Sequence, residues 1–363
     1  MRFGHFFLPG PTDVRDEVLA AQSGPMLPHR GAEFEALFAR VQEGMRAVFR
    51  TTRPVYVSTS SATGLMEAAV RCAKPGPVLS LVNGAFAERF ADVARSCGRE
   101  VTVLEAKWGD VVPLEQVEAA LRSASYSAVT IVHSETSTGA LTALPELAAL
   151  CARYGALSLV DSVTGMAGAP VETDAWGLDF VFTGSQKALA LPPGLAFGVT
   201  SERYLATVKD APHRGRYFDV LEFEQYVHKN QTPNTPATPL LYATAVQLDE
   251  IARESMEGRW ARHAAMMRVT HEWVAATREA LGVPLCMQAL EGRRSPTVTC
   301  VALPLTVRGE DVVRATAERG YVIGGGYGKL KASAFRIGHM GDHTVDGTSA
   351  CLHAVRDALS SLL

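Results

Sequence analysis

Short apolar runs of strand length alternate with helical stretches between about residues 55 and 210. This alternation is the pattern of a largely parallel sheet with helices on its faces. It predicts strands at 78–82, 100–104, 128–132, 157–160 and 180–182. The segment 145–154 is predicted to be a crossover helix between two of these strands.

A second region follows a proline-rich loop at 232–239. The stretch from about 240 to 281 predicts one long helix that leads into it, followed by a strand at 297–303, a helix near 309–319 and a final helix. Three glycines at 324–326 are interpreted as a flexible turn near the mouth of a site. At 363 residues with 47% hydrophobic content, the chain exceeds what one core usually supports. We expect an N-terminal segment at 1–15, a large domain at 16–250 and a small domain at 251–363.

Composition excludes several classes of function. A net charge of -3 and a pI near 6.4 provide no basic surface for nucleic acid or an anionic membrane. No window approaches the roughly 20 apolar residues of a membrane span. The first five residues lead directly into Pro9-Gly-Pro11, which predicts no signal peptide. The six cysteines have no metal-site spacing, so we expect reduced thiols, no metal and a cytoplasmic protein.

Two apolar runs end in residues of opposite charge. The run at 156–160 ends at Asp161, and the run at 180–182 leads to Lys187. Ligands of open α/β sheets bind beyond the carboxyl ends of the strands, so the two side chains are predicted to share one crevice. A solvated lysine is the ordinary alternative, but apolar residues precede and follow Lys187.

This pair suits pyridoxal 5′-phosphate. A lysine amine forms a Schiff base with the cofactor aldehyde and, once displaced by the substrate, becomes a base beside the substrate α-carbon. A carboxylate keeps the pyridine nitrogen protonated, which lets the ring take up electrons. Lys187 and Asp161 are therefore the predicted catalytic residues.

The motifs resemble those of the class V aminotransferases of pyridoxal phosphate fold type I, and most closely those of the alanine:glyoxylate and serine:glyoxylate branch. The resemblance covers nearly the whole chain, because the motifs occur in family order over more than 300 residues. They are Leu8-Pro-Gly-Pro-Thr12, His29-Arg-Gly31, Ser61-Ala-Thr-Gly64 with Met66-Glu-Ala-Ala69, Asn83-Gly-Ala-Phe86, His133-Ser-Glu-Thr-Ser-Thr-Gly139, Val160-Asp-Ser-Val163, Gly184-Ser-Gln-Lys187, Thr232-Pro-Asn-Thr-Pro236 and Arg336-Ile-Gly-His-Met-Gly341.

The resemblance implies an α/β fold with a large domain, whose mostly parallel sheet lies between helices, and a smaller C-terminal α/β domain. It also implies a homodimer whose active sites are shared between subunits, because Thr235 resembles a residue that reaches the neighbouring subunit's cofactor phosphate. From composition alone, the loop around Thr235 is equally consistent with a simple linker between domains.

The remaining cofactor contacts come from several motifs. Ser61, Ala62 and Thr63 precede a helical stretch and offer hydroxyl and backbone donors to a phosphate, although the same string is also an ordinary helix cap. The family more often has glycine at the places of Ser60 and Ala62. By resemblance, the other contacts are Gln186 at the phosphate or ring hydroxyl, Phe86 and Val163 on the two faces of the ring, and Ser137.

Arg336 is predicted to bind the substrate carboxylate, because a guanidinium pairs with a carboxylate through two parallel hydrogen bonds. Gly10 is predicted to line the substrate side. The resemblance implies ping-pong transamination from alanine or serine to glyoxylate or pyruvate.

One alternative is a lyase of the same fold, such as a cysteine desulfurase, which needs a mobile cysteine; Cys286 and Cys300 remain candidates. A noncatalytic dinucleotide-binding module is the other, but no GxGxxG motif follows the first strand.

Overall fold

The computed structural model describes residues 3–363; Met1 and Arg2, which begin the predicted N-terminal segment, lie outside the described residues. The strands are β1 (Phe6–Phe7), β2 (Tyr56–Ser58), β3 (Val78–Val82), β4 (Val101–Glu105), β5 (Ala128–Val132), β6 (Ser134–Glu135), β7 (Ala140–Leu141), β8 (Leu157–Asp161), β9 (Phe180–Gly184), β10 (Ala196–Thr200), β11 (Cys286–Met287), β12 (Thr299–Ala302), β13 (Val322–Gly325) and β14 (Ala334–Ile337).

Helices fill most of the intervals between these strands. They are α1 (Asp16–Ala20), α2 (Ala32–Phe49), α3 (Ala62–Arg71), α4 (Ala85–Ser96), α5 (Leu114–Ser123), α6 (Leu144–Arg153), α7 (Glu202–Val208), α8 (Val220–Val227), α9 (Thr238–Glu254), α10 (Met256–Leu281), α11 (Gly309–Glu318) and α12 (Val345–Leu362). Within residues 3–363, none of them combines the length and the apolar character needed to cross a membrane.

The larger sheet has seven strands in the order β2-β10-β9-β8-β5-β3-β4. Neighbouring strands from β9 to β4 are parallel, whereas β10 is antiparallel to both β9 and β2. Consequently β2 runs in the same direction as β9. Strands β3, β5, β8 and β9 are buried along their whole length, because helices cover both faces of the sheet. This is the mixed α/β architecture predicted from the sequence.

Helix α4 illustrates how the sequence places a helix on this sheet. Its buried residues are Ala87, Phe90, Ala91 and Ala94, which recur at the three- and four-residue spacing of one helix face. Phe90 packs edge-on against Phe182 of β9. The opposite face of α4 is left to polar residues, and its first turn points toward the carboxyl edge of the sheet.

The smaller sheet has five strands in the order β1-β13-β14-β12-β11. A second apolar core lies on it and includes Trp273 of α10, Val312 of α11 and Val355 of α12. Because β1 pairs in parallel with β13, the N-terminal strand β1 belongs to this sheet. Arg336, predicted as a substrate ligand, lies on β14 and pairs with Cys300 of β12.

Two predicted elements differ from the structure. The single helix expected from 240 to 281 is divided at Ser255, which has a φ of 64° and ends α9 before α10 begins. The glycine turn at 324–326 is partly a strand, because Gly324 and Gly325 end β13. A Cβ atom on Gly324 would lie 2.7 Å from Cδ of Pro9, so glycine is required there for the N-terminal segment to approach.

Candidate active site

A cavity of about 330 Å³ lies at the carboxyl edge of the larger sheet. Strands β2, β5, β8 and β9 all end there, as the direction of the strands requires. The residues predicted from the sequence that line it are Gly10, Ser61, Ala62, Thr63, Phe86, Asp161, Val163, Gln186 and Lys187. The fold thus brings together residues from five separate motifs.

Asp161 is the last residue of β8 and is 5% exposed. One carboxylate oxygen accepts a hydrogen bond of 2.8 Å from the backbone N–H of Val163. Burial raises the pKa of the Asp161 carboxyl to about 7, and the nearby carboxyl of Glu135 acts in the same direction. A carboxylate in this setting is stabilised by a cationic partner, such as a protonated pyridine nitrogen.

Lys187 follows β9 by three residues and is 7% exposed. Its amine donates to the backbone carbonyl of Pro9. Burial, and after it the charge of Arg336, lower the pKa of Lys187 to about 7 against the opposing effect of Asp161. The amine is therefore available in its neutral, nucleophilic form near neutral pH.

The N-terminal segment closes over this lysine. Thr12 donates its backbone N–H to the carbonyl of Gln186 at 3.0 Å. Gly10 has a φ of 87°, and a Cβ atom there would lie 2.6 Å from the Lys187 amine. Glycine at this position therefore leaves room for the lysine side chain and its bonding partners.

The start of helix α3 forms part of the cavity wall. Ser61 precedes it, and no side chain caps the helix. Among residues 3–363, the hydroxyls of Ser61 and Thr63 make no hydrogen bond to protein. Uncapped N–H groups and two available hydroxyls fit a dianionic phosphate, which a helix N-terminus stabilises. Of the two readings from the sequence, the uncapped helix supports the phosphate site more than the ordinary side-chain cap.

A second cavity of about 210 Å³ adjoins the first and shares Gly10, Phe86 and Lys187 with it. Arg336 lies on its wall and is 9% exposed. Its guanidinium donates from Nε to the carbonyl of Gly325 at 2.7 Å and from one terminal nitrogen to the carbonyl of Thr136 at 3.2 Å. In the described part of the chain, the other terminal nitrogen has no acceptor, which leaves donors for a carboxylate.

Two predicted contacts lie outside both cavities. Ser137 is completely buried, and its hydroxyl donates to Glu135 at 2.6 Å and accepts from the Ala85 N–H at 3.1 Å. Thr235 lies in a shallow depression with Thr59 and Tyr217 on the outer surface of its own chain. The predicted role of Thr235 at a partner's cofactor thus requires a second subunit.

His133 and the two candidate cysteines do not line the cavities either. The ring of His133 shares a 3.0 Å hydrogen bond with the hydroxyl of Ser162, and burial lowers its pKa to about 4. Cys300 is buried on β12, where burial raises its pKa to about 12. Cys286 is exposed on β11, at the edge of the smaller sheet. Neither thiol is placed as the mobile nucleophile that a desulfurase needs.

Glu135 was not predicted from the sequence. Its buried carboxylate accepts four hydrogen bonds, from the backbone N–H groups of Phe86, Ala87 and Ser137 and from the Ser137 hydroxyl. It thus caps the N-terminus of α4, the helix that carries Phe86. Glu135 lies within the sequence motif 133–139. No local sequence pattern, however, indicates that a buried side chain on one strand caps a helix distant in the sequence. Thr136 and Arg89, which line the larger cavity, were also missed.

Comparisons with known proteins agree with this geometry. The model of the family Aminotransferase class-V matches residues 16–331. The serine–glyoxylate aminotransferase of Methylorubrum extorquens is 31% identical, over 93% of this chain and 86% of that protein. The structure of alanine–glyoxylate aminotransferase from Nostoc sp. has a TM-score of 0.90 at 29% identity and covers 100% of this chain and 96% of that one. An aspartate aminotransferase from Thermus thermophilus has a TM-score of 0.89 at 33% identity, with coverage of 99% and 100%.

The resemblance predicted from the motifs is therefore confirmed, together with the fold type. The family implies pyridoxal 5′-phosphate as cofactor and an amino acid and a keto acid as substrates. The cavity fits that cofactor, because it contains a buried lysine, a buried acid and the uncapped N-terminus of a helix. Since the family model spans most of the sequence and relatives match it over nearly their full lengths, the chain belongs to the class-V aminotransferases and is a transaminase.

Proposed function

We propose that this enzyme transfers an amino group from a small L-amino acid, alanine or serine, to glyoxylate or pyruvate by a ping-pong mechanism. The observation that carries the proposal is the position of Lys187, whose amine lies where the cofactor cavity and the Arg336 cavity meet. Serine, alanine and glyoxylate follow the names of the relatives from Methylorubrum extorquens and Nostoc sp., and pyruvate follows from the resemblance found in the sequence.

Each residue has a defined task in this proposal. Pyridoxal 5′-phosphate, when bound, supplies the electron sink for the pair left at the donor α-carbon. Asp161 stabilises a positive charge at the pyridine nitrogen, and Phe86 and Val163 line the cavity where the ring plane is held. The α3 N-terminus with Ser61, Ala62 and Thr63 holds the phosphate, with Gln186 beside it.

The proton transfer depends on the unusual amine of Lys187. The neutral amine would accept the proton from the donor α-carbon and deliver it to the cofactor's C4′ carbon, and in the second half-reaction it would carry a proton from C4′ to the α-carbon derived from the keto acid. Arg336 binds the α-carboxylate and so fixes which α-bond faces the lysine. The closure of the N-terminal segment at Pro9 and Gly10 keeps water from this position.

We also propose a homodimer in cytoplasm with sites completed across the interface. Thr235 and its neighbour Asn234 lie on the surface with Tyr217, which is 45% exposed. A second copy placed against this surface brings the Thr235 hydroxyl to the phosphate end of its partner's cavity. The requirement for a partner explains why this predicted contact lies outside the cavity of its own chain.

The function is tested by the visible spectrum of the purified enzyme. L-alanine or L-serine, added without an acceptor, is expected to abolish the yellow absorbance of the bound cofactor, and glyoxylate or pyruvate is expected to restore it. Lys187→Ala is expected to lose this cycle, whereas Lys209→Ala, which removes an exposed lysine at the end of α7, is the matched control. Ammonia or sulfide release with persistent yellow colour would instead indicate a lyase.

A further inference from the structure

Tyr327 forms the outer wall of the cavity that holds Arg336. It lies two residues after the end of β13, and of the residues that line this cavity it is the exposed one, at 38%. Lys187 and Arg336 line the same cavity but are only 7% and 9% exposed. The Tyr327 side chain therefore borders solvent on one side and, on the other, the cavity in which the proposed reaction takes place.

Contacts on several sides fix the position of the Tyr327 ring. It stacks on the ring of Phe86, with centres 5.4 Å apart and an angle of 22° between the planes. Its hydroxyl accepts a hydrogen bond of 3.2 Å from a terminal nitrogen of Arg89 on α4. The guanidinium carbon of Arg336 lies 5.4 Å from the ring centre. The ring is thus held against both α4 and the arginine predicted to bind the substrate.

The residues after Tyr327 attach its loop to the larger sheet. Lys329 pairs with Glu105, the last residue of β4, at 3.5 Å. The Lys329 ammonium also lies 5.0 Å from the centre of the Trp108 ring. A Cβ atom on Gly328 would lie 2.8 Å from the Trp108 side chain, so glycine permits this close approach. Because the loop is attached on both sides of Gly328, Tyr327 presents a defined wall to the cavity.

A donor bound in this cavity has one part that is free to extend. Its α-carboxylate is assigned to Arg336 and its α-carbon to Lys187, which leaves the side chain. The inner walls are close-packed, since Ile323 and Thr136 are 1% and 3% exposed. The donor side chain is therefore directed to the outer wall, where it meets the Tyr327 ring.

We propose that Tyr327 is the residue that limits the size of the amino donor. This inference rests on the proposed transaminase function, because it concerns the donor of that reaction. The ring leaves room for the methyl group of alanine or the hydroxymethyl group of serine. It penalises each further methylene, because a packed wall cannot take in added atoms without displacement.

The test compares unbranched donors of increasing length in single half-reactions of the holoenzyme. Loss of the yellow absorbance gives second-order rate constants for L-alanine, L-2-aminobutyrate, L-norvaline and L-norleucine, which we expect to fall in this order in the wild type. Tyr327→Ala is expected to raise the ratio of L-norvaline to L-alanine about 30-fold, as removal of a steric limit on added methylenes predicts. Tyr327→Phe, which keeps the ring and loses the hydroxyl, should keep the wild-type ratios.

Two further variants complete the comparison. Tyr327→Leu shortens the side chain and should raise the ratio less, and it gives the answer if the alanine variant does not fold. Tyr154→Ala is the matched control, because Tyr154 follows α6, lines neither cavity and donates its hydroxyl to Glu118 at 3.1 Å. Each result is a ratio within one variant, so a partial loss of folded or cofactor-loaded protein cancels.

Binding of unreactive carboxylates gives a readout that does not depend on turnover. Calorimetric titration of the holoenzyme with propionate, butyrate, pentanoate and hexanoate should give affinities that fall with chain length in the wild type. In Tyr327→Ala the affinities should rise with chain length, because the opened cavity buries more of the apolar chain.

Three outcomes would overturn the inference and, as long as L-alanine still reacts, leave the proposed function standing. They are unchanged ratios in both Tyr327→Ala and Tyr327→Leu, a wild type that reacts with L-norvaline as fast as with L-alanine, and an equal change in Tyr327→Phe, which would assign the effect to the hydroxyl rather than to the ring. A wild-type enzyme that reacts with neither L-alanine nor L-serine would contradict the proposed function itself.

Discussion

The pKa values of Lys187 and Asp161 are both shifted toward neutral pH for the same reason, because each side chain is buried away from water. Burial lowers the pKa of the lysine to about 7 and raises that of the aspartate to about 7. Two groups that ordinarily differ by more than six units thus titrate in one range. A neutral Lys187 amine is therefore present in the free enzyme near neutral pH.

The first prediction concerns this amine in the cofactor-free enzyme. A lowered pKa means that Lys187 is protonated and unreactive below about pH 7 and neutral above it. Competitive labelling with trace acetic anhydride, read by peptide mass spectrometry, should show half-maximal reactivity of Lys187 near pH 7. Lys329, whose pKa is raised by its hydrogen bond to Glu88, is the internal control and should react only at high pH. Parallel profiles for the two lysines would contradict the prediction.

A second prediction concerns Glu135, which positions Phe86 through backbone groups. Glu135→Gln replaces an oxygen that accepts from backbone N–H groups by an amide that cannot accept, so at least one buried donor is left without a partner. We expect a loss of about 2 kcal/mol in the free energy of unfolding. Cofactor affinity, followed by fluorescence quenching, should fall about tenfold because the ring that holds the cofactor plane is displaced.

Glu88→Gln is the matched control for this experiment. Glu88 lies in the same first turn of α4, but its carboxylate pairs with Lys329 at the surface. Exposed pairs contribute about 0–1 kcal/mol, so the control should change neither stability nor cofactor affinity measurably. Wild-type affinity in Glu135→Gln would show that α4 keeps its position without this cap.

At the scale of elements, local sequence patterns predicted the strands and helices that have their own periodicity of buried apolar residues. The strand at 128–132 agrees with β5, and the helix near 309–319 with α11, because each carries its own apolar pattern. The division of the helix at Ser255 was missed, since a positive φ at serine has no sequence pattern of its own. Glu135 and Arg89 were missed because their partners, Phe86 and Tyr327, come from packing across elements. By contrast, residues at the ends of strands, such as Asp161, were found because they belong to recognisable sequence motifs.

The junction of α9 and α10 is held by a buried arginine. Arg259 is 1% exposed and pairs with Glu254 at 2.9 Å and Asp342 at 2.8 Å. It also donates to the carbonyl of Ala188 at 2.7 Å, the residue directly after Lys187. Burial alone would raise the pKa of Asp342, but Arg259 and its other partners hold it below the usual range. One side chain thus connects the lysine loop, the helix pair and the segment after β14.

The third prediction is that Arg259→Met destabilises the protein by about 2 kcal/mol, because Asp342 and Glu254 each lose one of their two cationic partners and the Ala188 carbonyl loses its donor. Urea unfolding of the cofactor-free enzyme measures this change. Arg268→Met on the exposed side of α10 is the control, since its pair with Glu272 is 4.0 Å long and solvated on both sides. Equal midpoints for the two variants would contradict the structural role of Arg259.

The whole molecule places its active site where two sheets and the chain terminus meet. β1 joins the smaller sheet through β13, while the carbonyl of Pro9, two residues later, accepts from Lys187 in the loop after β9 of the larger sheet. Arg336 comes from the smaller sheet and Asp161 from the larger. The proposed substrate contact and the proposed cofactor contact thus come from different sheets, which are connected by the N-terminal segment and by the stacking of Tyr327 on Phe86.

The fourth prediction concerns assembly, because in the proposed homodimer Thr235 completes the active site of the partner subunit. Lys187→Ala and Thr235→Glu are each expected to be inactive, the second because a carboxylate repels the cofactor phosphate. Co-expression with two affinity tags isolates the hybrid dimer, in which one site receives Lys187 and Thr235 from opposite chains and is intact. About half of wild-type activity is expected, as one of two symmetric sites is restored. The control hybrid of Lys187→Ala with Asp161→Ala has no intact site and should remain inactive, because both residues line the cavity of their own chain. An inactive first hybrid would show that the two subunits do not share their sites.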